Sequence, residues 1–372
     1  MANLFDYLTW RGDLTFSQDP PNDVDALIFA ALSYVPLGGR AAVEPWTPVP
    51  LTQAAAETLA MPALETLART KNDVLLLEAA AKTTRFGTCQ VWRYRDQLIP
   101  EQDTQFAAVT FLLDDGSLML AYRGTDNSLV GWKEDFNMSF QQTVPAQRLA
   151  AQYLKDVAAE KGAPLRLCGH SKGGNLAVFA GASAPPLVRK RILRVYNHDG
   201  PGFSDYLMGS PGYLALVPRI RTLVPQSSVI GMLMEHEEPY TVIRSASVGI
   251  LQHDPYSWEV RGPGFLQVEQ VTETSRFLDA TIKAWCAGMT PQERGKLVDA
   301  LFALLGSGEV ERATDIFHIR NLRAYIRALS TDEAVRHLLS GELLGLVEAA
   351  RAVRNRLETG AEDPQKTTGD FC

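Results

Sequence analysis

Five consecutive residues, Gly169-His170-Ser171-Lys172-Gly173, fit the pattern G-x-S-x-G. In that pattern a sharp turn lifts a serine out of a sheet and presents its hydroxyl for nucleophilic attack. The residues flanking the serine approach each other closely, so both flanking positions must be very small. The apolar run Leu165 to Cys168 before the motif predicts a buried strand, and the Ala-rich stretch Asn175 to Ala182 after it predicts a helix. The first helical turn would point free N–H groups toward the serine, which suits a developing oxyanion. Two other readings of the segment fail. A phosphate-binding loop needs Gly-Lys-Ser/Thr, and the order here is Ser-Lys followed by glycines. A serine activated by a lysine three residues on is excluded because Lys172 is adjacent.

A serine nucleophile needs a base and an acid that orients the base. Where such a turn is used, the chain order is serine, acid, histidine. His318 and His337 fall on amphipathic helical faces, where a packing or surface role is expected. His198 directly precedes Asp199 and cannot follow it in that order. His253, in "GILQHDPYSWEV", lies in a loop past the last strand signal, from which a base can reach back over the serine. His236, among the glutamates of "MEHEEPY", is the alternative. For the acid, Asp199 follows the strand "ILRVYNH" and precedes Gly-Pro-Gly. That puts it at the carboxyl edge of an α/β sheet, where ligands bind. Read blandly, it is a turn aspartate. Glu235, Glu237 and Glu238 remain open as acids, whereas Asp254 adjoins His253 too closely to face it.

An oxyanion needs two donors. One is the backbone N–H of Lys172, and the second is expected from Thr125 in "LAYRGTDNSLVGWKEDF". A cation in the first turn of a helix faces the unfavourable end of the dipole. The Lys172 side chain therefore predicts a partner, either an acid of "GWKEDF" or an anionic substrate head group. Leu129, Val130, Trp132, Phe136 and Leu207 could line an acyl pocket, with Trp132 and Leu129 the preferred substrate contacts, or serve as ordinary core.

These residues need a scaffold to position them. Residues 1–70 read as helical with proline-rich breaks, including "NDVDALIFAALSYVPL" behind an Asn/Asp cap, the loop "EPWTPVP" and a helix from about Thr52. Three strand-like runs follow from near Thr88, the last two joined by Asp-Asp-Gly, and then strands alternate with helices. That order predicts an α/β sheet with a parallel main section over residues 71–265. Residues 266–358 are rich in Ala, Leu, Arg and Glu at helical spacing, with one helix capped by Thr290 and opened by Pro291. Residues 359–372 are polar and expected to be disordered.

The chain has 372 residues, 46% hydrophobic and 21% charged, and a net charge of −7, with no long basic run that would suit nucleic acid. The N-terminal stretch "MANLFDYLTWRGDLTF" lacks the basic start and apolar run of a secretory signal, and no apolar stretch is long enough for a membrane span. Cys89, Cys168, Cys286 and Cys372 are widely spaced, which fits reduced cytosolic thiols rather than a disulfide frame or a zinc site.

"AYRGTDNSLVGWKEDF" together with "LCGHSKGGNLAVFAG" resembles the class 3 lipases of the α/β-hydrolase superfamily, over roughly residues 88 to 260. With "DYLTWRGDLTF", "PQSSVIGMLMEHEEPY" and "QHDPYSWEV", the chain is similar to a bacterial family of lipase-like proteins. The resemblance implies an α/β-hydrolase fold with a mostly parallel sheet, Ser171 as nucleophile, and Thr125 and Lys172 at the oxyanion hole. Asp199-Gly200-Pro201 also resembles the acid segment of animal pancreatic-type lipases. Class 3 lipases usually carry the acid one strand later, near "VPQSS", which here offers Ser227 and Ser228, and an apolar residue where Lys172 stands. The expected activity is hydrolysis of a carboxylic ester, of acylglycerol or phospholipid type, without cofactor or metal and with peripheral membrane contact allowed. The alternative is a hydrolase fold kept as a silent binding module, with the helical C-terminal region as its interaction surface.

Overall fold

A computed structural model of the protein describes residues 1–39, 47–126, 128–308 and 319–359. His318, much of the "EPWTPVP" loop and nearly all of the tail expected to be disordered lie outside the described residues. The chain divides into two compact units, the first running from Met1 to Val271 and the second beginning at Thr272.

The first unit is built on one sheet of eight strands: β1 (Val49–Pro50), β2 (Gln90–Ile99), β3 (Thr104–Leu112), β4 (Leu118–Tyr122), β5 (Leu165–His170), β6 (Ile192–His198), β7 (Ile220–Pro225) and β8 (Tyr240–Ile243). Spatial order equals chain order. The pairs from β1 to β4 are antiparallel, and those from β4 to β8 are parallel. The expected α/β class with a mostly parallel central sheet is what the chain forms.

This order has a consequence for packing. Each parallel connection steps the same way along the sheet, and right-handed crossovers then put every connecting helix on one face. Helices Pro145–Glu160, Lys172–Ser183 and Pro211–Leu216 share one core with Leu118, Leu120, Tyr122, Leu165, Leu167 and Val195. Met119 and Ala121, alternating with them along β4, point to the opposite face. There they meet a second core that holds Leu27, Phe29, Leu76 and Leu77, from helices Asp23–Leu32 and Lys71–Ala81. The N-terminal helices thus cover the face that the crossovers leave open. The sheet is buried on both sides, which explains why β3 and β4 read as near-continuous apolar runs.

Local signals account for the element ends. Asn22 caps its helix reciprocally with Asp25. Asp25 then meets Arg85 with two hydrogen bonds, of 2.8 and 2.6 Å, and so joins the first helices to the segment before β2. Gly116 takes a positive φ of 80° in the turn between β3 and β4. The second unit consists, among its described residues, of helices Glu273–Ala287, Pro291–Gly306, Ile319–Thr331 and Glu333–Thr359. Thr290 caps the second of these with Glu293 returning the bond, and Pro291 opens it. Among the described residues no helix is long and apolar enough to cross a membrane.

Candidate active site

Ser171 stands between the end of β5 and the helix Lys172–Ser183, with φ 58° and ψ −134°. A non-glycine residue held there stores about 1–3 kcal/mol of strain. The surroundings keep it in place. The Ser171 N–H donates to the His198 carbonyl at 2.9 Å, and the Gly174 N–H donates to the Ser171 carbonyl at 2.9 Å. A Cβ on Gly169 would lie 2.0 Å from the Gly173 carbonyl, so the turn closes only with glycine there. A Cβ on Gly124 would meet the His170 carbonyl at 2.5 Å and the Ser171 Cβ at 3.2 Å. The Arg123-Gly124-Thr125 loop therefore lies against the serine turn because it carries no side chain at Gly124.

Asp199 follows β6 and is fully buried. Its Oδ2 lies 2.6 Å from His253 Nδ1. Its Oδ1 accepts from the Ser228 hydroxyl at 2.5 Å and from the Gly231 N–H at 3.2 Å. Ser228 lies just past β7, where class 3 lipases usually carry their acid. Here Ser228 donates to the carboxylate of Asp199, which follows the preceding strand. His253 ends the short turn Gly249–His253. Gln252 fixes this turn, its Oε1 accepting the Ser227 N–H at 2.7 Å and its backbone carbonyl accepting Trp258 Nε1–H at 2.9 Å.

His170, the residue before the serine, contributes more than its motif position suggested. Its ring lies 4.6 Å from that of His253, its Nε2 is 2.8 Å from the His253 carbonyl, and its Nδ1 is 3.2 Å from the Tyr34 hydroxyl. Burial, then His253 and Arg69, hold its pKa well below the ordinary histidine range. The neutral ring has one proton, and the carbonyl can only accept, so Nε2–H donates to His253 and Nδ1 accepts from Tyr34. Tyr34 reaches the site from 136 residues earlier in the chain.

His236 and His198 are committed elsewhere. His236 Nδ1 is 3.2 Å from Glu238 Oε1, and its Nε2 is 2.9 Å from the Gly231 carbonyl. Glu238 also accepts from Tyr213 and Thr222, so it braces the β7–β8 region rather than His253. His198 is buried against Trp258, with its ring nitrogens near the Gly169 and Asp23 carbonyls. Burial pulls its pKa down to about 4. That value lies below the ordinary value of about 6.5, so the unfolded chain takes the proton first as pH falls. Stability is then fully present above about pH 6.5 and is lost toward pH 4, by about 3 kcal/mol from His198, with His170 adding in the same direction. Thermal melts across this range should show the melting temperature falling on acidification, less steeply in His198→Asn. A flat profile in the wild type would contradict the assignment.

The Lys172 side chain is buried. Its three protons go to the Gln105 carbonyl at 3.0 Å, Gln105 Oε1 at 2.8 Å and Glu134 Oε2 at 3.1 Å. Glu134, also fully buried, accepts in addition the N–H groups of Gln105 and Ala146. The partner expected in "GWKEDF" is thus Glu134, and the head-group role for the ammonium is corrected, because no proton of it is left to offer. Lys172→Leu would leave Glu134 buried and unpaired, and should cost about 3–5 kcal/mol in a denaturation experiment. It should slow neutral and anionic esters alike. A selective loss on anionic esters would restore the head-group reading.

The Thr125 hydroxyl donates to Asp135 Oδ2. Ser128 caps the helix Leu129–Asn137, on which Leu129 is half-buried and Trp132 and Phe136 are exposed. Leu207 is buried in the core beneath the connecting helices, which makes it core rather than pocket. Signals for Ser228, Tyr34 and Gln105 were absent locally, since each acts only through a partner distant in sequence. His170 lay inside the motif, but its contacts with Tyr34 and His253 join residues distant in sequence.

No curated protein matches the chain. Solved structures with likeness to it include M37 lipase, at 16% identity and a TM-score of 0.36, covering 57% of this chain and 70% of that one. The Rhizomucor miehei lipase propeptide complex is similar at 11% identity and a TM-score of 0.38, covering 68% and 92%. A fungal lipase–inhibitor complex is similar at 13% identity and a TM-score of 0.36, covering 60% and 80%. Residues 80–303 match the family described as Mbeg1-like, and the chain belongs to that family.

Proposed function

We propose that the protein is a serine hydrolase of carboxylic esters. The observation that carries this reading is the buried Asp199 carboxylate at 2.6 Å from His253 Nδ1, next to a strained serine turn. With Nδ1–H given to Asp199, His253 Nε2 is the basic nitrogen. It takes the Ser171 proton as Oγ attacks the ester carbonyl. The backbone N–H groups of Thr125 and Lys172 receive the oxyanion. Lys172 is the first residue of its helix, so its N–H has no partner within the helix. The imidazolium then protonates the departing alkoxide. Water, deprotonated by the same nitrogen, releases the acid and restores Ser171. Asp199 stays ionised and holds the ring. No step calls for a cofactor.

The exposed apolar side chains Trp132, Phe136, Ile250 and Leu251 support an acyl-bearing substrate, of acylglycerol or phospholipid type. They lie on the helix after the Thr125 loop and on the turn that ends in His253. A series of p-nitrophenyl esters of increasing chain length tests the reading. Turnover above buffer that changes with chain length is expected. A folded protein that turns over none of them would favour the silent binding module.

A further inference from the structure

The Thr125 hydroxyl has one proton, and Asp135 Oδ2 accepts it. While that bond is in place, the hydroxyl cannot donate to an oxyanion. It would meet one with a lone pair. About a third of the Asp135 side chain is exposed, but that exposure does not reach Oδ1. Among the described residues, its Oδ1 is enclosed and accepts no hydrogen bond. The nearest cation, Lys172 Nζ, is 3.8 Å away and has given all three protons to Gln105 and Glu134.

We propose that Asp135 is a positioning residue that works by taking up a proton. Protonated at Oδ2, it donates to Thr125 Oγ1, and the Thr125 proton swings toward the oxyanion as a third donor beside the two backbone N–H groups. The proton comes from solvent and returns there, and no bond in the substrate is made or broken by it. This inference rests on the hydrolase reading above. The groups that face Asp135 are Lys172 from the serine-bearing helix, Glu134 on its own helix, His253 from the loop past β8, and Tyr34 from the N-terminal segment. Burial lifts the Asp135 pKa to about 6 and Glu134 adds to this, while Lys172, the Thr125 hydrogen bond and His253 oppose it. The oxyanion adds negative charge nearby and draws the proton further. The third donor is therefore present on the acid side and fades as pH rises.

The test is the rate of fluorophosphonate labelling of Ser171 between about pH 5 and about pH 9 in wild type, Thr125→Val and Asp135→Asn. In the wild type the rate should fall above about pH 6, as Asp135 loses its proton. The fall should approach tenfold per pH unit, up to the roughly 100-fold worth of one oxyanion donor. Thr125→Val should be slower on the acid side and should lack the falling limb. Asp135→Asn should also lack it and should exceed the wild type by roughly 50-fold near pH 8, because its amide N–H donates to Thr125 at every pH. A wild type without a falling limb, or a Thr125→Val profile that keeps one, overturns the inference and leaves the hydrolase reading standing. A wild type that is not labelled at all overturns both.

Discussion

Ser171→Ala is expected to lower kcat for ester hydrolysis by about a million-fold. It should do so without unfolding the protein. The bonds that hold the turn are made by the backbone, through the His198 carbonyl and the Gly174 N–H, and alanine keeps both. Alanine also keeps the strain, since its Cβ meets the same left-handed backbone. Ser171→Gly separates the two properties. Glycine adopts φ 58° freely, so this variant should be more stable than Ser171→Ala by about 1 kcal/mol and equally inactive. Melting curves and initial rates on a p-nitrophenyl ester read both. Substantial activity in either variant would move the nucleophile elsewhere.

Asp199→Asn should lower kcat by about ten-thousand-fold. The surroundings of Asp199 dictate why. Its Oδ1 position receives two donors, the Ser228 hydroxyl and the Gly231 N–H, so the asparagine must place its carbonyl oxygen there. The amide NH2 then occupies the Oδ2 position, 2.6 Å from His253 Nδ1. Facing a donor, Nδ1 must accept, and the imidazole proton moves to Nε2. The base is then in the wrong tautomer to receive the serine proton. Ser228→Ala relaxes that constraint and should cost far less, because the Gly231 N–H remains. Comparable losses in the two variants would show that Asp199 acts through packing rather than through the tautomer.

The residues legible in the sequence are those whose roles depend on neighbours in the chain. The serine turn follows from two glycines two residues either side of Ser171. Asp199 follows from its place at the end of a strand, and the Asn22 and Thr290 caps from their spacing to Asp25 and Glu293. The Lys172 partner was half legible: a cation in the first helical turn calls for an acid, and the two acids of "GWKEDF", Glu134 and Asp135, were candidates. What could not be read depends on the order of strands. The chain gives no local sign that β4 to β8 add in sequence, and hence none that helices Asp23–Leu32 and Lys71–Ala81 must cover one face of the sheet. That packing carries Tyr34 to His170. Ser228 was seen only as the residue standing where an acid usually stands. Its use as the hydroxyl that supports Asp199 depends on β6 and β7 being neighbours.

The central claim is that Ser171 is the nucleophile of a hydrolase, and mapping a fluorophosphonate adduct by mass spectrometry tests it most directly. The account predicts one phosphonyl group per chain, on the peptide that contains Ser171, formed much more slowly in His253→Ala and absent in Ser171→Ala. An adduct on another residue, or none on the folded wild-type protein, would contradict it.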